Sequence, residues 1–273
     1  MHRILILILL LSPIVSAQTQ EPAITMKGPT LEAPDIDPDV LTAQPFNGFT
    51  QLSTFHSFMS SSFAFANVWI VAENDDPGLY SAQVVYPYPP FYQPTWGEIF
   101  DHIARQMRCE WQWDPDIRQF VFRRSESGPI FQVNLEEGWI SEDRGLYSWF
   151  APEGLPCGMD IYDLGHFTQS EENPDLFAEV REHFALRSMS LSPDPPSVED
   201  MEIVSVADFE ALYHHCAGER PGSVWRQWSF VAEGHAILIV SALPGQMEAT
   251  LAPQVDRMVQ SFRLIVPQSD GEM

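Results

Sequence analysis

The sequence predicts an α+β protein, in which a small N-terminal α/β module precedes a hairpin-rich antiparallel sheet carrying one helix in its middle and one at its end. Three observations predict it. Thr95-Trp96-Gly97-Glu98 is a capping box opening a helix whose apolar residues recur every three or four positions. Cys109, Trp111 and Trp113 alternate with Glu110, Gln112 and Asp114 at strand spacing. Two apolar runs, Trp225 to Val231 and His235 to Ser241, flank the tight Ala232-Glu233-Gly234 turn of a hairpin.

In chain order, Met1-His2-Arg3, the apolar run Ile4 to Leu11 and the small residues of Val15-Ser16-Ala17 read as a secretory signal peptide over residues 1–17, cleaved after Ala17. The apolar run falls short of the roughly 20 residues a membrane-spanning helix needs. Residues 18–45, rich in Pro, Thr and Asp, read as a disordered tether. The first module is expected over 46–125. Val68, Ile70 and Val71 form a strand, Asn74 to Gly78 a turn, and Tyr80 to Tyr86 a second strand ending at Pro87. The helix from Thr95 buries Trp96, Ile99, Phe100, Ile103 and Met107; Asp114-Pro115-Asp116 then turns the chain into a strand with Phe120, Val121 and Phe122.

The second unit is expected over 130–267. Strands are read at Phe131 to Trp139, Leu146 to Ala151 and Met159 to Leu164. Asn173-Pro174 caps a helix that turns Leu176, Phe177, Val180 and Phe184 inward. Elements at Glu202 to Val206 and Phe209 to His214 lead to the hairpin. A last helix starts at Thr250 with Leu251, Val255, Met258 and Phe262 inward, and Arg263 to Val266 closes the chain.

Composition narrows the chemistry. The chain has 273 residues, 38 acidic against 14 basic, and a net charge of −24, which disfavours nucleic acid and anionic membranes as partners and keeps the chain monomeric. Lys27 is the only lysine, so a phosphate-binding P-loop, a Schiff-base lysine and an S-x-x-K serine site are all absent. There is no G-x-S-x-G elbow and no D-x-D-x-D-G calcium loop. No later segment is apolar enough to be an integral membrane span, and no cofactor is called for.

Four groups of residues are candidates for chemistry. His214-His215-Cys216 offers imidazole and thiol, but strand alternation sends His214 and Cys216 to one face and His215 to the other, which disfavours a metal site or a Cys/His nucleophile. The carboxylates Asp160 with Asp163, or Glu136 with Glu137, could pair for acid–base work, although nothing in their spacing fixes a cleft. Cys157 and Cys216 fall in one unit and are the natural disulfide pair, leaving Cys109 as a buried small hydrophobe. The loop Pro87-Tyr88-Pro89-Pro90-Phe91-Tyr92 is the best binding candidate: Tyr86, Tyr88, Phe91 and Tyr92 lie between regular elements, where aromatic side chains can face a partner.

Two stretches resemble known families. Thr95 to Pro115, a helix of the form T-x-x-x-h-x-x-h-x-x-Q leading to a strand, resembles the secretin and TonB N-terminal short domain, which implies a non-catalytic periplasmic interaction module over about thirty residues. Leu135-Glu136-Glu137-Gly138-Trp139, with Glu136 where proline is usual, and the tail from Trp228 to Leu264 resemble the PsbP-like proteins of the DcrB and LpqN type. That resemblance covers about 135 residues and implies an antiparallel-sheet α/β/α sandwich without shared catalytic residues. Together they lead us to expect an exported, non-catalytic accessory or binding protein of the bacterial cell envelope, partnered by an envelope protein or small ligand. The alternatives are a metal-binding protein or enzyme centred on the second unit, and a carbohydrate or peptide binder acting through residues 86–92.

Overall fold

A computed structural model describes residues 36–46 and 54–265, apart from positions 83, 85, 87, 126–129, 145–146, 172, 190–196 and 219–221. The expected signal peptide and most of the expected tether lie outside the described residues. The fold is α+β, with helices on antiparallel sheet.

The expected tether ends sooner than the composition suggests. Asp37 caps a short helix, α1 (Pro38–Thr42), its carboxylate accepting from the Asp39 and Val40 amides, with Pro38 at the tolerated first position. Leu41 is buried against the main helix of the module, and Pro45 bridges to Thr95. One apolar side chain and one cap therefore order residues that composition assigns to the tether.

Helix α2 (Phe55–Ala66) was not legible in the sequence. Its serines and aromatics are weak helix formers. Tertiary burial of Phe55 and Phe58 holds it, with Thr54 as N-cap and Asn67, at φ 55°, as left-handed C-cap. Strand β1 (Ile70–Ala72) follows as expected, but Tyr80 belongs to a short helix, α3 (Pro77–Tyr80), and none of the described residues between 80 and 86 is in a strand. The Ala82 carbonyl accepts from the Phe55 amide of α2 instead of a neighbouring strand (2.9 Å).

Helix α4 (Trp96–Met107) carries the predicted capping box: Thr95 Oγ1 accepts from the Glu98 amide (3.2 Å) and Glu98 Oε2 from the Thr95 amide (2.7 Å). It buries all five predicted apolar residues. Beneath it lie β2 (Cys109–Asp114) and β3 (Gln119–Arg124), in a three-stranded sheet of order β1-β3-β2, with β1 parallel and β2 antiparallel to β3.

Next come β4 (Phe131–Gln132), β5 (Trp139–Asp143), β6 (Tyr147–Pro152), β7 (Gly158–His166), β8 (Glu202–Val206), β9 (Phe209–Ala217), β10 (Ser223–Ala232) and β11 (His235–Pro244). All but β4 form one antiparallel sheet of order β5-β6-β7-β11-β10-β9-β8; β4 pairs with β12 (Arg263–Leu264). The strand expected over Phe131 to Trp139 is thus two separate strands. In the β10–β11 turn Glu233 and Gly234 both have positive φ (48° and 86°), and a Cβ on Gly234 would stand 2.9 Å from the Phe167 carbonyl.

Helix α6 (Gly245–Gln260) covers one face of the large sheet, packing Leu251, Val255, Met258 and Val259 on Ile161, Phe230, Ile237 and Ile239. It starts at Gly245, ahead of the expected Thr250, and Pro253 lies inside it. Helix α5 (Leu176–Met189) packs on the other face, where Gln227 Nε2 and Ser229 Oγ donate to the Ala185 and Arg181 carbonyls (3.1 and 2.8 Å). Val180 and Phe184 of α5, with Phe167, join one apolar cluster with Phe55, Trp96 and Phe122 of the small sheet. The two sheets therefore share a core.

Candidate functional site at the junction of the two sheets

The predicted aromatic loop lies against this shared core. Tyr88 is only 4% exposed, its ring 5.1 Å from Phe167 and 5.6 Å from Tyr92, and its hydroxyl donates to the Glu98 carbonyl oxygen (3.1 Å). Tyr92 is half-buried and donates to Glu98 Oε1 (2.5 Å), while Tyr86 stacks edge-on against Tyr88. Phe91, 50% exposed, is the loop's outward aromatic, set edge-on to His183 of α5 at 5.7 Å. Three of the four rings thus build the junction, and Tyr88 and Tyr92 can be buried there because each O–H has an acceptor.

Glu98, legible in the sequence only as a helix cap, organises this region. Besides the Thr95 amide and the Tyr92 hydroxyl it accepts from Thr168 Oγ1 (3.0 Å), and the Thr168 amide donates to the Tyr92 hydroxyl (3.2 Å). One carboxylate ties α4, the aromatic loop and the segment after β7 together. Burial and this carboxylate hold the Tyr92 phenol protonated, well above the ordinary tyrosine range.

Two turns along α4, Arg105 Nε lies 3.3 Å from Asp163 Oδ2 of β7, whose Oδ1 accepts from the Gly165 amide (3.1 Å) and lies 3.6 Å from His235 Nδ1. Burial alone would raise the Asp163 carboxyl. His235, Arg105 and His102 outweigh it and hold the carboxyl at about 2. His166 stacks edge-on against His235 at 4.9 Å, and burial, with the nearby positive charges of His235 and Arg105, lowers its pKa. The alternation of β7 gave no hint of this, and its ladder with β11 shifts register between His235 and Ile237, at the end that carries Asp163 and His166.

The remaining candidates are dispersed. His214 and Cys216 share one face of β9, as alternation requires, while His215 pairs with Glu248 of α6 (2.9 Å). Among the described residues no three His, Cys, Asp or Glu side chains are grouped to hold a metal ion. The expected Cys157–Cys216 bridge is corrected: all three cysteines are free. Gly158, Ala242, Trp225 and Cys216 align across β7, β11, β10 and β9, so Cys157 stands three strand spacings, roughly 14 Å, from Cys216, twice the reach of a disulfide. Burial raises all three thiols, Cys109 to about 11. Glu136 is held by a two-pronged Arg257 ion pair (2.8 and 2.7 Å) rather than paired with Glu137. Asp160 faces the aromatic side of the sheet, away from the Asp163 cluster.

No family model matches the chain, and no curated protein does. Among solved structures it is similar to LpqN of Mycobacterium tuberculosis, titled as involved in cell envelope biogenesis, at 11% identity and a TM-score of 0.36 over 52% of this chain and 87% of that one. It is also similar to a protein from Bacteroides thetaiotaomicron VPI-5482, at 12% identity and a TM-score of 0.35 over 52% of this chain; the match spans about half, 47%, of that structure.

Proposed function

We propose that this chain is an exported, non-catalytic accessory or binding protein of the bacterial cell envelope. The observation that carries this reading is how the junction uses its ionisable groups. Asp163, at about 2, stays ionised, and Glu98 is held by three donors that join neighbouring segments. These groups fasten the two sheets together, and the raised thiols supply no thiolate nucleophile. Export is supported by the leader-like sequence of residues 1–17. Within the aromatic loop, Phe91 is the contact offered to a partner.

The test has two readouts on the full chain expressed in its source organism. N-terminal sequencing of the mature protein should begin at Gln18, and a stoichiometric envelope partner should co-purify with the wild type and be lost from Phe91→Ser. Recovery in the cytoplasm with residues 1–17 intact would overturn export. Equal partner recovery with Phe91→Ser would overturn the loop as the contact.

A further inference from the structure

A second group of side chains lies apart from the junction, on the β5–β6–β7 end of the large sheet. Its layout follows from the register. Tyr147 of β6 stands opposite Tyr162 of β7, and Trp149 stands between Glu142 of β5 and Asp160 of β7. Side chains opposite one another across antiparallel strands share a face with Cβ atoms about 5 Å apart. The block is therefore an indole flanked by two carboxylates, beside a tyrosine pair whose rings are 5.1 Å apart.

Its carboxylates differ. Glu142 is exposed and pairs with Arg144 (2.8 Å), whereas Asp160 has a buried Oδ1 without a hydrogen-bond partner. Such an oxygen costs stability unless a donor or cation reaches it. The group that covers the block is Arg144, from the β5–β6 turn. Its guanidinium carbon lies 4.7 Å from the Trp149 ring centre and 5.8 Å from that of Tyr147, and Nη1 donates to the Tyr147 hydroxyl (3.2 Å). Arg144 keeps 38% of its side chain exposed, so it rests on the block from the solvent side.

We propose that Trp149, Tyr147, Tyr162, Glu142 and Asp160 form a receptor for a cationic group, an alkylammonium or guanidinium, and that Arg144 is a built-in cation covering it until the ligand displaces it. Aromatic faces with adjacent carboxylates are the chemistry that recognises such cations. The net charge of −24 raises the local concentration of cations at the surface. Asp160, left without a donor by Arg144, would gain its counter-charge only when a smaller cation sits deeper on the indole.

The probes are methylguanidinium and tetramethylammonium chloride, titrated into the full-length mature chain at constant ionic strength and followed by nuclear magnetic resonance. In the wild type, saturation with a probe should move the Arg144 Nε–H signal to its solvent-exposed position together with a shift of the Trp149 indole. In Arg144→Ala the same probe should bind at least tenfold more tightly, and in the Arg144→Ala, Asp160→Asn double variant at least tenfold more weakly than in Arg144→Ala. Which of the two probes binds more tightly separates guanidinium from alkylammonium as the group recognised. A wild-type Arg144 signal unmoved at saturating probe, or equal affinity with and without the Asp160 charge, would overturn the proposal.

Discussion

Asp160→Asn should make the protein more stable, and more so as the pH rises. Burial raises the Asp160 carboxyl from its ordinary value to about 7, Arg144 offsetting part of the effect. A carboxyl whose folded pKa lies above its unfolded one contributes stability below about pH 4 and loses it as the pH climbs through 7. Three pH units between the two states correspond to about 4 kcal/mol once both are ionised. Because the side chain is only partly enclosed, we expect about 2–4 kcal/mol at pH 9. At roughly 2–4 °C per kcal/mol for a chain of this size, Tm should rise by roughly 4–16 °C. Asparagine keeps the shape and removes the charge, so at pH 4 the two proteins should unfold within about 1 kcal/mol of each other. Urea titrations at pH 4, 7 and 9 measure this directly. A difference that does not grow with pH, or a variant less stable at pH 9, would refute the assignment of Asp160 as a desolvated carboxylate.

Asp163→Asn should act in the opposite sense. The depressed carboxyl contributes stability above about pH 4 that is lost as the pH falls toward 2, and removing its charge at pH 7 leaves Arg105 without its ion-pair partner, a cost of about 3 kcal/mol by urea titration. Tyr88→Ala with Tyr92→Ala removes two rings packed on Phe167 and should lower stability by about 3–5 kcal/mol; a melting temperature equal to wild type would place these rings outside the core. Glu98→Gln keeps one acceptor oxygen but loses the charge-assisted bonds to Tyr92, Thr95 and Thr168, for a loss of about 2 kcal/mol in thermal unfolding. Thiol titration of the protein unfolded without reductant should find three reactive cysteines; one would restore the Cys157–Cys216 bridge.

What the sequence disclosed was set by periodicity and caps. Helix α4 was legible because its capping box and its stripe of Trp96, Ile99, Phe100, Ile103 and Met107 agree, and the β10–β11 hairpin because its turn chemistry and two long apolar runs agree. Helix α2 was not, since residues 55–66 favour no local structure and are fixed by the burial of Phe55 and Phe58. The alternation between Tyr80 and Tyr86 looked like a strand because buried and exposed residues can alternate in any extended segment, paired or not. At the junction, the four aromatics of the loop were identified, but not which way they face, because Glu98 and Thr168 are 70 residues apart and only the fold brings them together. The Asp163, Arg105 and His235 group was hidden for the same reason, compounded by the irregular end of β7.

The core shared by the two sheets bears on how the protein acquires its shape. Residues up to Arg124 contain every strand of the small sheet, yet the cluster that encloses them is completed by Phe167, Leu176, Val180 and Phe184. A chain emerging N-terminus first therefore cannot close this core until Phe184, sixty residues beyond Arg124, has followed. Fragments ending before α5 would leave Phe167 without Phe184, so the N-terminal portion should be handled by chaperones rather than settle alone. Folding is expected to proceed as one late, cooperative event, with the large sheet serving as the template on which the small one sets.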